Sequence, residues 1–160
     1  MIEDPSEDLP EDLIATLDIL ASAAAGLRDP WWIFGGAAMA LAGLEDLHLP
    51  DVDVMASPRD ARSLIEALHG NLMEDPGQGL FRSQVFGQIL TTPVPIDVMA
   101  EMDVRAGADW TRVDFQSRMP VDLEGATVFI PSVSEQIATA RLFGRPKDLE
   151  RALRLETLIR

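Results

Sequence analysis

Apolar residues near the start of the chain recur at the spacing of a helix. Five of them lie three or four positions apart and predict one buried face: Leu13, Leu17, Leu20, Ala24 and Leu27. Pro10, Glu11 and Asp12 suit the first turn, because proline tolerates it and acids favour the positive end of the helix dipole. Residues 28–30, Arg-Asp-Pro, are expected to end this helix.

Short apolar runs follow, separated by glycine and proline. Trp31–Phe34 and Asp51–Ala56 have the length and composition of buried strands. Between them, Ala37–Leu44 predicts a helix that is apolar on every side, so this helix and the second strand are expected to be deeply buried. A further helix is predicted to begin at Ser57 or Pro58 and to run through residue 68.

The second half of the chain contains two pairs of runs with the composition of strands. Phe81–Leu90 and Val94–Met102 predict an antiparallel pair, whereas Asn71–Gly79, with the sequence NLMEDPGQG, is typical of a loop. The structure of residues 103–118 is ambiguous from the sequence. Two further runs predict a hairpin around Glu-Gly: Met119–Leu123 and Ala126–Ile130.

Two helices are predicted at the end of the chain. Ser132 and Glu135 form the S-x-x-E signature of a capping box, and the helix that they open is expected to run to Phe143 and stop at Gly144. Pro146 begins a final helix. Its apolar positions include Leu149, Leu153 and Ile159. The pattern as a whole predicts a mixed α/β fold.

The composition predicts a single domain over residues 1–160, with a flexible acidic N-terminus over residues 1–9. Of the 160 residues, 47% are apolar, which is enough for a buried core. With 27 acids against 13 bases, the net charge of -14 repels polyanions, so broad nucleic-acid binding is not expected. The absence of cysteine excludes disulfides, thiolate metal ligands and cysteine nucleophiles.

A cytoplasmic protein without a membrane segment is predicted. The first twelve residues contain six acids, where a signal peptide would be basic. The apolar run Trp31–Leu44 is shorter than the roughly 20 residues that a membrane-spanning helix needs.

Two aspartates, Asp51 and Asp53, interrupt an otherwise apolar strand. Alternation along a strand places both on one face, about 6 to 7 Å apart. Unpaired carboxylates among valines are costly to bury, and Mg²⁺ prefers such oxygen ligands. In a chain this acidic, the acid-x-acid pattern should also arise several times by chance, so a chance occurrence without function is the alternative.

A third aspartate and a glycine pair extend this pattern. Asp97 lies alone in a later apolar run and would stand about 4.5 to 5.5 Å from one of the first two aspartates if the strands are neighbours. Gly35 and Gly36 fall between a predicted strand and a predicted helix, where phosphate can approach backbone N–H groups. Taken alone, the glycine pair indicates a tight turn.

Basic residues concentrate in the predicted C-terminal helices, which hold six of the thirteen. Lys147, the only lysine, is a candidate for binding a triphosphate. The alternative is an ion pair with Asp148 or Glu150.

The order of these features resembles the nucleotidyltransferase fold of the DNA polymerase beta superfamily. It is similar in particular to small bacterial members, the minimal nucleotidyltransferases and those related to toxin-antitoxin and antibiotic-modifying enzymes. The C-terminal segment PSVSEQIATARLFGRPKDLERALRLE resembles the family's helix, Arg-x-Lys-Asp segment and second helix. The resemblance covers most of residues 30–157, and it implies a central mixed sheet flanked by helices with a C-terminal helical pair.

The resemblance also implies roles for individual residues. Asp51 and Asp53 match the metal-binding pair, and Asp97 matches a third carboxylate that helps to activate the attacking hydroxyl. Gly35 and Gly36 match the loop that holds nucleotide phosphates. Many relatives have Arg and Thr just before the aspartate pair, where residues 47–50 of this chain are Leu-His-Leu-Pro.

The function predicted from these features is metal-dependent transfer of a nucleoside monophosphate from a nucleoside triphosphate to an acceptor hydroxyl. Mg²⁺ is the expected cofactor, with one or two ions. A small molecule or a protein side chain is preferred as acceptor over a polynucleotide, because of the net charge. The alternative is an inactive binding or regulatory module of the same fold, with an antitoxin-like partner or a second copy of the chain.

Overall fold

The computed structural model describes residues 9–75 and 79–159, so most of the predicted flexible N-terminus lies outside the described residues. The helices are α1 (Glu11–Ala24), α2 (Gly35–Leu41), α3 (Pro58–Ala67), α4 (Val133–Phe143) and α5 (Pro146–Glu156), and a 3₁₀ turn follows at Thr157–Ile159. The strands are β1 (Trp32–Phe34), β2 (Val52–Met55), β3 (Asn71–Met73), β4 (Phe81–Ile89), β5 (Ile96–Ala106), β6 (Asp109–Arg112), β7 (Met119–Leu123) and β8 (Ala126–Ile130).

A mixed sheet forms the centre of the fold. In the described residues its order is β1-β2-β5-β4-β3, and β6 pairs with the C-terminal part of β5. β2 and β5 are parallel, whereas the other neighbours are antiparallel, including the predicted pair of β4 and β5. β7 and β8 form a separate hairpin with the predicted boundaries. The predicted fold class, a central mixed sheet with helices and a C-terminal helical pair, is confirmed.

The larger hydrophobic core lies where α1, α3 and the β7-β8 hairpin pack on the sheet. The predicted apolar face of α1 is buried at Leu13, Leu17, Leu20 and Ala24, and Leu27 packs against the same core. The valines of β2 are also fully buried here, since Val52 and Val54 are 0% exposed. The burial of these valines fixes the position of β2, and with it that of Asp53 in the strand and of Asp51 just before it.

The C-terminal helices pack on the rest of the fold through a second and a third hydrophobic cluster. The second cluster surrounds Phe34, Met99 and Phe115. The third joins α2 to α4 and α5 through residues such as Met39 and Leu155. As a result, α2, α4 and α5 border one cavity together with the ends of β1 and β2.

Several boundaries differ from the prediction. The helix expected over Ala37–Leu44 spans Gly35–Leu41 instead, so the two glycines form its first turn. The loop expected over Asn71–Gly79 contains β3, which forms because Leu72 pairs with Gly87 of β4; residues 76–78 lie outside the described residues. The ambiguous region over 103–118 contains the end of β5 and all of β6.

The final helix begins at Pro146 as predicted, but its apolar positions named above lie on the surface. Leu149, Leu153 and Ile159 are 47%, 65% and 55% exposed, and Ile159 lies in the 3₁₀ turn. The buried positions of α5 are Asp148, Ala152 and Leu155. Asp148 is buried because it binds Arg145 through both carboxylate oxygens, which compensates its charge.

None of the helices in the described ranges is long and apolar enough to cross a membrane.

Candidate active site

Three aspartates meet where β2 and β5 run side by side. Asp53 is the direct parallel neighbour of Asp97, and Asp51 immediately precedes β2. One carboxylate oxygen from each residue lies within 4.8 Å of the other two, and all three side chains are partly buried. The structure thus brings together the three aspartates that the sequence singles out, while their role in metal binding and catalysis stays a prediction.

The three carboxylates repel one another. Burial raises the pKa of Asp53 to about 7, and the negative charges of Asp51 and then Asp97 add to this shift. Lys147 and Arg145 act in the opposite direction. The pKa of Asp97 is also raised, chiefly by burial and then by Asp51. A proton or a cation would therefore stabilise this cluster.

Gln88 binds the third carboxylate from the neighbouring strand. It is the antiparallel partner of Asp97 on β4, and its Nε2 donates to Asp97 Oδ1 over 3.3 Å. This hydrogen bond lowers the pKa of Asp97, against the effect of burial. Gln88 was missed at the level of sequence, because only the pairing of β4 with β5 reveals it.

Gly35 lies in close contact with the acidic cluster. Its φ of +68° is in the left-handed region, and a Cβ at this position would stand 2.8 Å from Asp53 Oδ2. Gly36 is similarly enclosed, since its Cβ would lie 2.9 Å from Leu49 Cδ2 and 3.7 Å from a terminal nitrogen of Arg151. Glycine at both positions is therefore required for the close packing of Asp53 and Leu49 against the start of α2, and both glycines line the cavity.

Two cationic side chains of α5 line the cavity with the aspartates. The alternative for Lys147 was an ion pair with Asp148 or Glu150, and neither pair forms among the described residues. Asp148 instead binds Arg145, and Oε1 of Glu150 lies 4.0 Å from a terminal nitrogen of Arg154. Arg151 is partly buried and forms no ion pair with any described residue. Arg151 is a candidate site residue that the sequence pattern did not single out.

The rest of the cavity wall is largely apolar. The cavity has a volume of about 500 Å³, within the usual range for small-molecule sites. Aromatic and methionine side chains make up much of its wall: Phe34, Met39, Phe81, Phe86, Met99, Met102, Phe115 and Phe143. Such a wall suits a flat or apolar group next to the charged cluster.

A change of face along β5 contributes to this wall. Val98 and Ala100 belong to the larger core, whereas Met102 and Val104 pack in the second cluster. Strict alternation would put all four on one side of the sheet. The change follows Glu101, whose φ of 50° is unusual for a residue other than glycine.

Glu135 binds the chain segment just after Phe115, which is part of the cavity wall. Its side chain accepts hydrogen bonds from the backbone N–H groups of Gln116 and Ser117 and from Ser117 Oγ. The predicted capping box is therefore only half formed: Ser132 Oγ accepts from the Glu135 N–H, but the Ser132 N–H donates to Ser117 Oγ. This network ties the segment that carries Phe115 to the start of α4.

The donor set fits a hard divalent cation. Asp51, Asp53 and Asp97 offer only oxygen ligands, which Mg²⁺ prefers. Their separation of at most 4.8 Å allows a shared ion. Burial, and then the charges of Asp51 and Asp97, raise the pKa of Asp53, and a bound cation would offset both effects.

Comparison with known proteins identifies the fold. No family of known sequences matches the chain, and no curated protein sequence matches it. A crystal structure from Thermotoga maritima, assigned as a nucleotidyltransferase, is similar with a TM-score of 0.74 and 16% identity, over 95% of this chain and 96% of that chain. Lincomycin-bound LnuA, a lincosamide antibiotic adenylyltransferase, matches at a TM-score of 0.59 and 13% identity over 94% and 99%.

The antibiotic-resistance factor ANT(2'')-Ia is also similar, with a TM-score of 0.56 and 18% identity over 89% of this chain and 80% of that chain. The chain therefore has the nucleotidyltransferase fold, as the resemblance of its sequence predicts. At 13 to 18% identity these likenesses establish the fold.

Proposed function

We propose that this protein transfers a nucleoside monophosphate from a nucleoside triphosphate to the hydroxyl of an acceptor. The observation that supports the proposal best is the convergence of Asp51, Asp53 and Asp97 in a cavity lined also by Lys147 and Arg151, which form no ion pair with any described residue. Three carboxylates repel each other, so this arrangement costs stability unless a cation is bound there. Such a cost is typical of a functional site.

In the proposed site, Asp51, Asp53 and Asp97 hold Mg²⁺. When bound, Mg²⁺ supplies positive charge that neutralises phosphate oxygens and favours the deprotonated acceptor. Because Arg151 and Lys147 are free of ion pairs with described residues, they are available to bind the β- and γ-phosphates. Gly35 and Gly36 line the same cavity, and the phosphates are placed against their backbone.

The proposed reaction is an in-line displacement at the α-phosphorus. The acceptor oxygen forms a bond to this phosphorus, the bond to the bridging oxygen of the β-phosphate breaks, and pyrophosphate leaves. Asp97 accepts the hydroxyl proton; burial and then the charge of Asp51 raise its pKa, which makes its carboxylate a stronger base than an ordinary one. The protein contributes mainly by positioning and by charge neutralisation.

A small molecule or a protein side chain is proposed as the acceptor. The net charge of -14 disfavours a polynucleotide, since its phosphates would be repelled over most of the surface.

The single-domain organisation and the cytoplasmic location expected from the sequence also stay predictions.

Thermal unfolding tests the proposal without knowledge of the acceptor. We expect Mg²⁺ together with one nucleoside triphosphate, near a hundred times its Kd, to raise the Tm by about 5 °C or more. The Asp51→Ala variant should lose this rise, because one of the three carboxylates is gone. Asp18→Asn, which removes an exposed charge on α1, is the control and should keep it.

Transfer itself is tested with α-labelled triphosphates and a panel of hydroxyl acceptors. Label should appear on an acceptor only in the presence of Mg²⁺ and should disappear with Asp51→Ala. If none of ATP, GTP, CTP and UTP raises the Tm of the wild-type protein in the presence of Mg²⁺, the proposed enzymatic function is wrong.

A binding or regulatory module is the second candidate. Exposed apolar side chains at the end of the chain favour it: Leu149, Leu153, Leu158 and Ile159. Exposed apolar side chains of this kind are suited to contact with a protein partner or with a second copy of the chain. This candidate gains support if nucleotides have no effect on stability.

A further inference from the structure

Gln88 is the only group in the described part of the chain that donates a hydrogen bond to the acidic cluster. Its Nε2 donates to Oδ1 of Asp97 over 3.3 Å, whereas neither Asp51 nor Asp53 accepts a hydrogen bond from a described residue. Gln88 is half-buried on β4, and it is not among the described residues that line the cavity. Its effect on a ligand in this cavity therefore passes through Asp97.

The strand that carries Gln88 is held in place on both sides of this residue. Gln88 and Asp97 are direct antiparallel partners on β4 and β5. On β4, Ile89 is 0% exposed, and a Cβ on Gly87 would overlap the side chain of Ile65. Because an ionised carboxylate can only accept, the nitrogen of the amide must face Asp97. The donor thus stands on a backbone that the core fixes.

The hydrogen bond restricts the torsion that the carboxylate of Asp97 would otherwise keep. The terminal torsion of an aspartate has a broad distribution, so a carboxylate without a partner rotates. A donor bound to Oδ1 opposes this rotation and leaves Oδ2 for a ligand. The hydrogen bond does not make Asp97 a stronger base, since it lowers the pKa of this residue. What Gln88 contributes is therefore geometric.

We propose that Gln88 is a positioning residue, which holds Oδ1 of Asp97 so that Oδ2 stays available to the cation and to the acceptor hydroxyl. This inference rests on the proposed nucleotidyl transfer, and it explains how the third carboxylate of the site is kept in place. Hydrogen-bond partners behind a metal ligand typically contribute about ten- to a hundredfold to metal affinity or to activity.

Binding of Mn²⁺ alone, without nucleotide, provides the first test. Mn²⁺ prefers the same oxygen ligands as Mg²⁺, and electron paramagnetic resonance measures its free concentration. Gln88→Met has a similar shape without the donor, and we expect it to bind Mn²⁺ about tenfold more weakly than the wild type does. Gln88→Asn, whose amide is too short to reach Asp97, takes its place if the methionine variant does not fold.

Two controls separate positioning from other effects of the substitution. Gln84→Met makes the same replacement at an exposed position of the same strand, and it should bind Mn²⁺ as the wild type does. The tenfold ratio between wild type and Gln88→Met should be the same at pH 7 and at pH 8. A loss of affinity through incomplete ionisation of Asp97 would instead shrink as the pH rises, which would contradict the inference.

A double variant shows whether Gln88 acts through Asp97. Asp97→Ala removes the carboxylate, so nothing is left for Gln88 to position. We expect Asp97→Ala to bind Mn²⁺ as weakly as the double variant with Gln88→Met does, because the two residues act as one unit. If the two losses of affinity add up independently, Gln88 acts by another route and the inference is wrong.

Kinetics supply a second measurement, with the acceptor that the labelling experiment identifies. At saturating Mg²⁺, Gln88→Met should lower kcat about tenfold and leave the KM for the triphosphate within about twofold. The reason is that Asp97 takes part in the displacement and does not bind the β- and γ-phosphates. A rise in KM with an unchanged kcat would contradict the inference.

The outcomes separate this inference from the proposed function. If the wild-type protein binds Mn²⁺ and Gln88→Met binds it equally or more tightly, Gln88 does not position Asp97, whereas the proposed function stands. If the wild-type protein binds Mn²⁺ neither alone nor together with a nucleoside triphosphate, the proposed function and the inference fail together.

Discussion

Replacing Asp53 with asparagine is expected to abolish nucleotide transfer and also to stabilise the metal-free protein at pH 8. The loss of transfer should be about a thousandfold or more, because the variant lacks a central charge of the proposed metal site. The gain in stability follows from the same charge, since Asp53 is held near Asp51 and Asp97 in a partly buried place. An effect of opposite sign on activity and stability is typical of a functional residue.

The pH dependence of this gain follows from the pKa of Asp53. That pKa is about 7 in the folded protein, compared with an ordinary value of 3.8. Between the two values the folded state keeps a proton that the unfolded state has released. The free energy of unfolding therefore falls as the pH rises from about 4 to about 7 and is level above that range.

Asparagine does not ionise, so the free energy of unfolding of the variant does not fall in this way as the pH rises. A pKa displacement of this size corresponds to about 4 kcal/mol as an upper limit. Water at the cavity reduces the effect, and we expect a difference of about 2 kcal/mol between variant and wild type at pH 8. The difference should shrink steadily as the pH is lowered toward 4.

Urea unfolding in the presence of a chelator, from pH 4 to pH 8, measures this difference. Asp18→Asn makes the same chemical change on an exposed face of α1 and should show no such pH-dependent gain. Addition of Mg²⁺ and nucleotide should stabilise the wild type and leave Asp53→Asn unchanged. A variant that is less stable than the wild type at pH 8 without metal would contradict the repulsion argued above.

Replacing Gly35 with alanine is expected to disturb the site through a single methyl group. The new Cβ would lie 2.8 Å from Asp53 Oδ2, closer than real contacts allow, and the φ of +68° is unfavourable for alanine. We expect the variant to lose about 2 to 4 kcal/mol of stability. Transfer should fall about a hundredfold, because the carboxylate must move.

Gly107 provides a closely matched control. Its φ of +67° is almost the same, but a Cβ there meets nothing within 4 Å. Gly107→Ala should therefore show only the backbone cost, about 1 kcal/mol, with full activity. Comparing the two variants by urea unfolding and by metal-nucleotide binding isolates the contact with Asp53. Equal losses of stability and unchanged binding in both would show that the contact has no effect.

Local patterns in the sequence were sufficient for most helices and strands. The capped helix from Ser132 to Gly144 and the β7-β8 hairpin have the predicted boundaries, because their end signals lie in adjacent residues. The apolar face of α1 was equally clear, since helical spacing alone defines it. β3 was missed because its pairing with β4, rather than its own composition, makes it a strand.

The buried face of α5 is another feature that its local pattern does not reveal. Leu149 and Leu153 look like a core pattern, yet the helix buries Asp148 instead, because Arg145 neutralises it. A local pattern states which residues are apolar. It does not state which face of the helix the rest of the chain will cover.

The sequence by itself determined the candidate chemistry: two aspartates one residue apart, a third in a later strand and a glycine pair ahead of them. Alternation along a strand was enough to place Asp51 and Asp53 on one side, because that rule is local. It could not place Asp97, which lies more than forty residues later.

Only the tertiary structure decided the rest. The parallel register of β2 and β5 sets Asp53 beside Asp97, and the packing of α5 brings Arg151 next to Gly36. The pairing of β4 with β5 likewise sets Gln88 against Asp97. These contacts join segments that are distant in the chain, and they depend on how whole elements pack, which no local pattern of residues contains.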